Sequence, residues 1–387
     1  MPKIFKISAM AMFIGLVSAI FSSLFLHLLA YTSTFRSGHP YLIWGLPVFG
    51  LLFALILKKI PHHINQGVPY ILEEIENEKA KVSTWMAPFI LLSSLGTHLF
   101  GGSAGREGVG VIMGASVAHY LPKFHKTFSR MRPYLVYGGI AAGFSSIFGT
   151  PLTAIIFAFE LNAFKHWMKL ELIICAVISA FSALFVQSIL GPAHQHFQVS
   201  FDLNKDLLVY GIIVIFSSGI GANIFYWGLK GYTKLISSLF PELVQKMFFG
   251  GLLISSLVFF TDGHQYIGIG TDTIARSFFS EMSHFDFLMK CLLTVMTLSV
   301  GFKGGEVTPL LFMGATLSNG MAAFFGLRNF GLSSSLGMVS LFGAVTGTPF
   351  ASAMMGMELF GWQVGVMAFL TCLGARLFMA KRSVYRH

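Results

Sequence analysis

Two stretches of the sequence place a carboxylate and glycines directly before an apolar run. One is GREG at residues 105–108, and the other is GGEVTP at residues 304–309. Ionisable side chains inside apolar sequence are candidates for function. Glu107 and Glu306 could simply cap their helices, or each could compete with a bound anion for backbone N–H groups and move away when protonated. The second role would couple an anion to a proton.

A helix that starts at either motif would begin among apolar residues rather than at a membrane surface. Its first N–H groups lack intrahelical partners and carry a partial positive charge, which favours an anion. Non-helical backbone at membrane depth is tolerated only where it is packed in protein or lines a wet cavity. We therefore predict broken helices whose N-terminal ends form an anion site.

The composition shows which elements must carry these motifs. Of the 387 residues, 55% are hydrophobic and 11% are charged, whereas soluble domains have about 25% charged residues. Several uncharged runs could cross a hydrocarbon core, which needs about 20 apolar residues: Ile7–Phe35, Pro133–Phe159, Leu207–Leu229, Val307–Leu327, Asn329–Met357 and Leu359–Ala375. The runs are continuous and lack β-barrel alternation, so we predict an all-α polytopic membrane protein.

The formal charge of +10 lies mainly in short connections and near the ends of the chain. This pattern is typical of positive-inside anchoring in a membrane and predicts no nucleic-acid partner. The three cysteines, Cys175, Cys291 and Cys372, lie in apolar runs without ligand spacing. We expect them to be free buried thiols, and we predict neither a metal site nor a cofactor.

An internal repeat organises the motifs. The tripeptide Gly149-Thr150-Pro151 opens an apolar run that ends near Glu160. The tripeptide Gly347-Thr348-Pro349 opens an apolar run that ends near Glu358. VIMGAS at residues 111–116 likewise matches LFMGAT at residues 311–316. We predict one transmembrane domain made of two repeats, about 1–192 and 200–387, and no soluble domain. Because both halves keep the glutamate, Glu160 and Glu358 are predicted to be structural.

The motifs and their order resemble the CLC superfamily of chloride channels and anion/proton antiporters over nearly the whole chain. The residues alone leave open whether the repeats are inverted or parallel. The resemblance implies two inverted repeats with re-entrant helices, and a homodimer in which each subunit has its own pore. It also implies that Glu107 is the gating glutamate and that Arg106, Gly108, Val109 and Val307 belong to the anion site.

Departures from the chloride-transporting members resemble the fluoride-exporting branch, often called CLC-F. GGEVTP replaces the Gly-x-Phe-x-Pro motif whose amides hold chloride. Leu161 stands where proton-coupled chloride members have an internal glutamate, and Asn65, Gln66 and Gly67 replace a filter segment with a chloride-binding serine. The resemblance implies fluoride/proton antiport, and hence fluoride resistance, in a bacterial plasma membrane. The expected partners are fluoride, with chloride as the alternative, protons and the lipid bilayer.

Fluoride is small and strongly hydrated, so a site that replaces its water needs compact hydrogen-bond donors. The Thr308 hydroxyl, the Gln66 amide and a protonated Glu306 could supply them. An ionised Glu306 would repel any anion, so it must titrate, be paired or act from the side.

Tyr385 falls where the family has a central tyrosine that contacts the anion from the cytoplasmic side. Only Arg386 and His387 follow it, so the helix that usually leaves from this tyrosine is expected to be absent or truncated. The alternative is that Tyr385 belongs to a basic tail without fixed structure.

Three alternative functions predict different sequence features. A chloride channel or chloride/proton antiporter would keep the architecture, but it should have an apolar Phe-containing motif in place of Glu306 and Thr308. An intramembrane enzyme should show HExxH or a Ser/His pair, and the sequence has neither. A membrane scaffold would have no cause to bury carboxylates beside glycines.

Overall fold

The computed structural model describes residues 3–65, 67–77, 83, 85–120, 131–161, 164, 169–192, 197–201, 205–380 and 382–385. Its regular structure in these residues is helical, without a β-strand, as predicted. The α-helices are α1 (Lys3–Ser37), α2 (Gly45–Leu57), α3 (Val68–Asn77), α4 (Met86–Leu99), α5 (Glu107–Tyr120), α6 (Arg132–Phe148), α7 (Pro151–Leu161), α8 (Leu170–Leu190), α9 (Lys205–Leu239), α10 (Leu243–Thr261), α11 (Thr271–Ser277), α12 (His284–Val300), α13 (Val307–Phe324), α14 (Phe330–Thr346), α15 (Pro349–Phe360) and α16 (Trp362–Met379).

Within these described residues, 7 helices are long and apolar enough to cross a membrane. They are α1, α2 with the turn before it, α8, α9, α10, α13 and α16. The 35 residues of α1 make a helix about 50 Å long at about 1.5 Å per residue. The hydrocarbon core is about 30 Å thick, so α1 must tilt or extend beyond it.

Two of the runs that the sequence suggested as single spans are each divided into two helices. The run Pro133–Phe159 is broken at Gly149, which has φ +74°, and the run Asn329–Met357 is broken at Gly347, which has φ +78°. Glycine adopts this left-handed conformation without strain and ends a helix. In each case Thr-Pro follows, and proline suits the first turn of the next helix. Each of these two apolar runs therefore forms two consecutive helices instead of one.

Glycines bring two helix pairs into backbone contact. α5 packs on α6, and α13 packs on α14. A Cβ atom built on Gly114 would collide with the carbonyl oxygen of Gly139, and one built on Gly314 would collide with that of Gly337. Small residues at such contacts let membrane helices approach closely. The two helices that begin at the candidate motifs are thus held by equivalent glycine contacts.

The described residues form two compact units. One includes those of Met1–Thr32, Ile56–Leu95 and Arg106–Gln195, and the other includes those of Ser33–Leu55, Gly96–Gly105 and His196–His387. In the first unit α5, α6, α7 and α8 have 14, 17, 11 and 21 residues. In the second unit α13, α14, α15 and α16 have 18, 17, 12 and 18 residues. This recurrence supports the predicted repeat, which stays a prediction.

Candidate functional site

Glu107 is the first residue of α5, and its side chain is fully buried. One carboxylate oxygen, Oε2, accepts the backbone N–H of Arg106 at 3.1 Å. The other, Oε1, lies 3.7 Å from Nε of Arg106. A buried carboxylate is costly unless it is paired, and Arg106 supplies the positive charge. The carboxylate thus occupies a backbone N–H group at the start of α5, which is the contact that both the capping and the competing roles require.

Glu306 stands directly before α13, at the N-cap position. Its carbonyl oxygen accepts the N–H of Leu310 at 2.9 Å, but its side chain makes no capping hydrogen bond. The capping alternative for Glu306 is therefore not what the structure has. Val307 and Thr308 follow in the first turn of α13, and both are buried. Thr308 therefore stands in the turn whose N–H groups lack intrahelical partners.

The backbones of Gly105 and Gly305 form an antiparallel bridge. The N–H of Gly105 donates to the carbonyl oxygen of Gly305 at 2.5 Å, and the reverse bond measures 2.8 Å. A Cβ atom on Gly304 would collide with Cβ of Ala104, so this approach requires glycine. Both glycines belong to the second unit, and the bridge lies directly before Glu306 and the start of α13.

The segment that leads to Glu107 is anchored by buried hydrogen bonds. The backbone N–H of Ser103 donates to Oγ1 of Thr297 at 3.1 Å, and its hydroxyl donates to the carbonyl oxygen of Tyr266 at 3.1 Å. The N–H of Gly268 donates to the carbonyl oxygen of Gly102 at 3.0 Å. Buried polar groups satisfied in this way rigidify the backbone that they join. These hydrogen bonds therefore anchor the backbone that leads to α5.

Lys290, on α12, binds the segment 266–268 that contacts Gly102 and Ser103. No role for this residue was predicted from the sequence. Its side chain is fully buried, and Nζ donates to the carbonyl oxygens of Tyr266 at 3.0 Å and Gly268 at 2.7 Å. Nζ also lies 5.1 Å from the centre of the Phe312 ring, within range of a cation–π contact. The signal that could have found it is the one used for Glu107, an ionisable residue inside an apolar run.

Tyr385 lies in an ordered segment rather than in a tail without fixed structure. The N–H of Val384 donates to the carbonyl oxygen of Val345 at 3.1 Å. The hydroxyl of Ser383 donates to the carbonyl oxygen of Thr346 at 2.6 Å and accepts the N–H of Tyr385 at 3.1 Å. The side chain of Tyr385 is buried, with 8% of its surface exposed. These contacts favour the predicted placement of Tyr385 over a tail without fixed structure, and its role at the anion stays a prediction.

The predicted filter segment is only partly described. Asn65 ends a 3-10 turn, and the carbonyl oxygen of Gly67, directly before α3, accepts the N–H of Tyr70 at 3.2 Å. Gln66 lies outside the described residues. The roles predicted for Asn65, Gln66 and Gly67 therefore stay predictions.

The remaining predicted residues lie on the helices as follows. Gly108 and Val109 are in the first turn of α5, and Val109 is buried. Glu160 is buried near the end of α7, whereas Glu358 is half-buried near the end of α15. The structural roles of both glutamates stay predictions. The three cysteines are free and buried, as expected.

Comparisons with known proteins identify relatives along nearly the whole chain. A family model described as voltage gated chloride channel matches residues 49–380. A chloride/fluoride channel protein of Pseudomonas syringae pv. tomato is 33% identical over 100% of this chain and 86% of its own length. The crystal structure of a CLC-type fluoride/proton antiporter has a TM-score of 0.90 and 32% identity, and the match covers 98% of this chain and 97% of that one.

A more distant structure shares the fold. The X-ray structure of a slow cyanobacterial Cl⁻/H⁺ antiporter has a TM-score of 0.84 at 18% identity, and the match covers 98% of this chain and 94% of that one. At this identity the likeness bears on the helical arrangement alone.

Proposed function

The chain belongs to the voltage gated chloride channel family, and we propose that within this family it exports fluoride in exchange for protons. As a member of this family it is a multi-pass membrane protein that transports anions. The observation that carries the fluoride assignment is GGEVTP at residues 304–309, with Glu306 and Thr308 at the start of α13. The solved fluoride/proton antiporter that is 32% identical supports the same assignment.

We assign anion binding to the backbone N–H groups at the starts of α5 and α13. These groups have no intrahelical partner and carry the positive end of the helix dipole. The glycines before each helix support this assignment, because they leave the backbone of both motifs open to an anion. Backbone N–H groups attract an anion through partial charges, so the anion can also leave.

We assign to Glu107 the roles of gate and proton carrier. Its carboxylate accepts a backbone N–H at the start of α5, so an arriving anion would compete with it for that donor. Protonation removes the charge that favours the bond and frees the carboxyl group to move. Since the proton cannot return while an anion occupies the place of the carboxylate, the inward proton gradient would drive anion export.

We assign the selectivity for fluoride to Thr308 and Glu306. Fluoride loses more hydration free energy than chloride on entering a site, so it requires short and strong donors in return. The buried hydroxyl of Thr308 is one such donor, and Glu306 becomes another when it is protonated. Tyr385 is assigned the contact with the anion from the cytoplasmic side.

Chloride is the second candidate ion and a channel is the second candidate mechanism, because the relative at 33% identity is named a chloride/fluoride channel protein. We further propose that the protein is a homodimer in a bacterial plasma membrane, with one pathway in each subunit. A transporter of this kind confers resistance to fluoride and needs no cofactor.

The proposed function is tested with the purified protein in liposomes. Efflux of fluoride and of chloride is measured with ion-selective electrodes while valinomycin and K⁺ fix the voltage, and a pH-sensitive dye reports proton movement. We expect fluoride efflux to exceed chloride efflux and to draw protons into the liposomes. Equal rates for the two ions would contradict the fluoride assignment. Fluoride efflux without proton movement would identify a channel instead of an antiporter.

A further inference from the structure

Three carbonyl groups at the C-terminal end of α14 are bound by residues that follow α15. The last four carbonyls of an α-helix have no intrahelical partner. Here the carbonyl oxygen of Ala344 accepts a bond from Arg376 at 2.8 Å. Those of Val345 and Thr346 accept bonds from Val384 at 3.1 Å and Ser383 at 2.6 Å. The segment 382–385 therefore completes the end of α14.

Arg376 connects this segment to the helix. It lies in the last turn of α16, and the Nη1 atom that binds Ala344 also donates to the carbonyl oxygen of Arg382 at 2.5 Å. A Cβ atom on Gly347 would lie 2.9 Å from Nη2 of Arg376, so the guanidinium fits against a residue without a side chain. One planar charged group thus holds the end of α14 and the start of segment 382–385 together.

Tyr385 follows this attachment by three residues. Its N–H donates to the hydroxyl of Ser383 at 3.1 Å, and Ser383 is itself bound to α14. The backbone at Tyr385 is therefore fixed through a short chain of hydrogen bonds that begins at Arg376. Removing the guanidinium leaves two partly buried carbonyl groups without their charged donor. Hydrogen bonds from charged donors are among the stronger ones in proteins.

We propose that Arg376 is a positioning residue that clamps segment 382–385 to the end of α14 and thereby fixes Tyr385 in the anion pathway. The proposal rests on the proposed function, which gives Tyr385 its contact with the anion. Arg376 itself does not touch the anion. Its loss should weaken anion binding through Tyr385 and leave the proton gate at Glu107 intact.

The first measurement reports the clamp without reference to transport. In Arg376→Gln, backbone amide hydrogen exchange is followed by mass spectrometry of the C-terminal peptide that contains Val384 and Tyr385. Because the N–H of Val384 is bonded to Val345 in the native protein, we expect exchange about tenfold faster in the variant. Unchanged exchange would overturn the clamp.

The second measurement reports anion binding in liposomes. We expect Arg376→Gln to raise the KM for fluoride about tenfold and to leave the ratio of protons to fluoride unchanged. In a Tyr385→Ala background, the same substitution should change KM by less than about twofold, because the two residues act in one chain of contacts. Fully additive effects would overturn the positioning role.

Two further variants separate this role from charge and folding. Arg328→Gln removes an exposed arginine that pairs with Glu281 at 2.7 Å, and we expect it to change neither exchange nor KM. Arg376→Lys keeps the charge but lacks the planar group, so an intermediate KM is expected. If exchange rises in Arg376→Gln while KM does not, the clamp exists but Tyr385 does not bind the anion. That result would overturn the assignment of Tyr385 rather than the fluoride activity.

Discussion

Replacement of Glu107 by glutamine tests the proposed gate with little change in side-chain size. In the native protein the carboxylate accepts the N–H of Arg106 at 3.1 Å. A hydrogen bond to a charged group contributes about 1.5–3 kcal/mol, and one between neutral groups about 0.5–1.5 kcal/mol. Glutamine is therefore the weaker competitor for this N–H by about 1–1.5 kcal/mol. An anion that competes for the same donor should bind about five- to tenfold more tightly.

The assay measures fluoride and protons together in liposomes. In the native protein an imposed fluoride gradient should move protons against their own gradient. In Glu107→Gln we expect the KM for fluoride to fall about five- to tenfold and this proton movement to disappear, because glutamine does not titrate.

A matched control is Glu160→Gln, which changes another buried glutamate that is predicted to be structural. It should keep the native ratio of protons to fluoride, even if it lowers the amount of folded protein. Proton movement that still followed the fluoride gradient in Glu107→Gln would refute the gate. A higher fluoride KM in that variant would refute the competition between carboxylate and anion.

Three further substitutions test the second motif and the packing beneath it. Thr308→Val removes a buried hydroxyl, so we expect the KM for fluoride to rise about tenfold with little change for chloride. Parallel efflux assays measure both ions, and equal losses of affinity for the two ions would contradict selectivity at this residue. Glu306→Gln should slow fluoride efflux more than chloride efflux, and an unchanged fluoride rate would exclude Glu306 from the pathway. Gly337→Ala places a Cβ atom against Gly314 and Ser318 and should destabilise the protein by about 1–3 kcal/mol. The measurement is the thermal unfolding midpoint in detergent, which should fall. An unchanged midpoint would show that α13 and α14 can move apart slightly without loss of stability.

Composition and motif spacing are enough to predict the class of protein and the location of its motifs. Long uncharged runs require helices in a membrane, because unsatisfied backbone groups are too costly there. The matching Gly-Thr-Pro tripeptides indicated equivalent features in both halves of the chain. In the structure, a helix ends at the glycine of each tripeptide, Gly149 and Gly347. A carboxylate beside glycines marked the start of α5 at Glu107. These results follow from local composition and spacing, which a sequence displays directly.

The contacts between residues far apart in the chain depend on how the helices pack. The bridge between Gly105 and Gly305 and the attachment of Tyr385 to the end of α14 through Ser383 join residues far apart in the chain. Their partners are mostly backbone N–H and carbonyl groups, which every residue carries, so side-chain identity does not reveal the pairing. Lys290 shows the same limit, because its position in an apolar run signals function but not that it binds the carbonyls of a turn. Close packing of the helices decides which of these groups come within hydrogen-bonding distance.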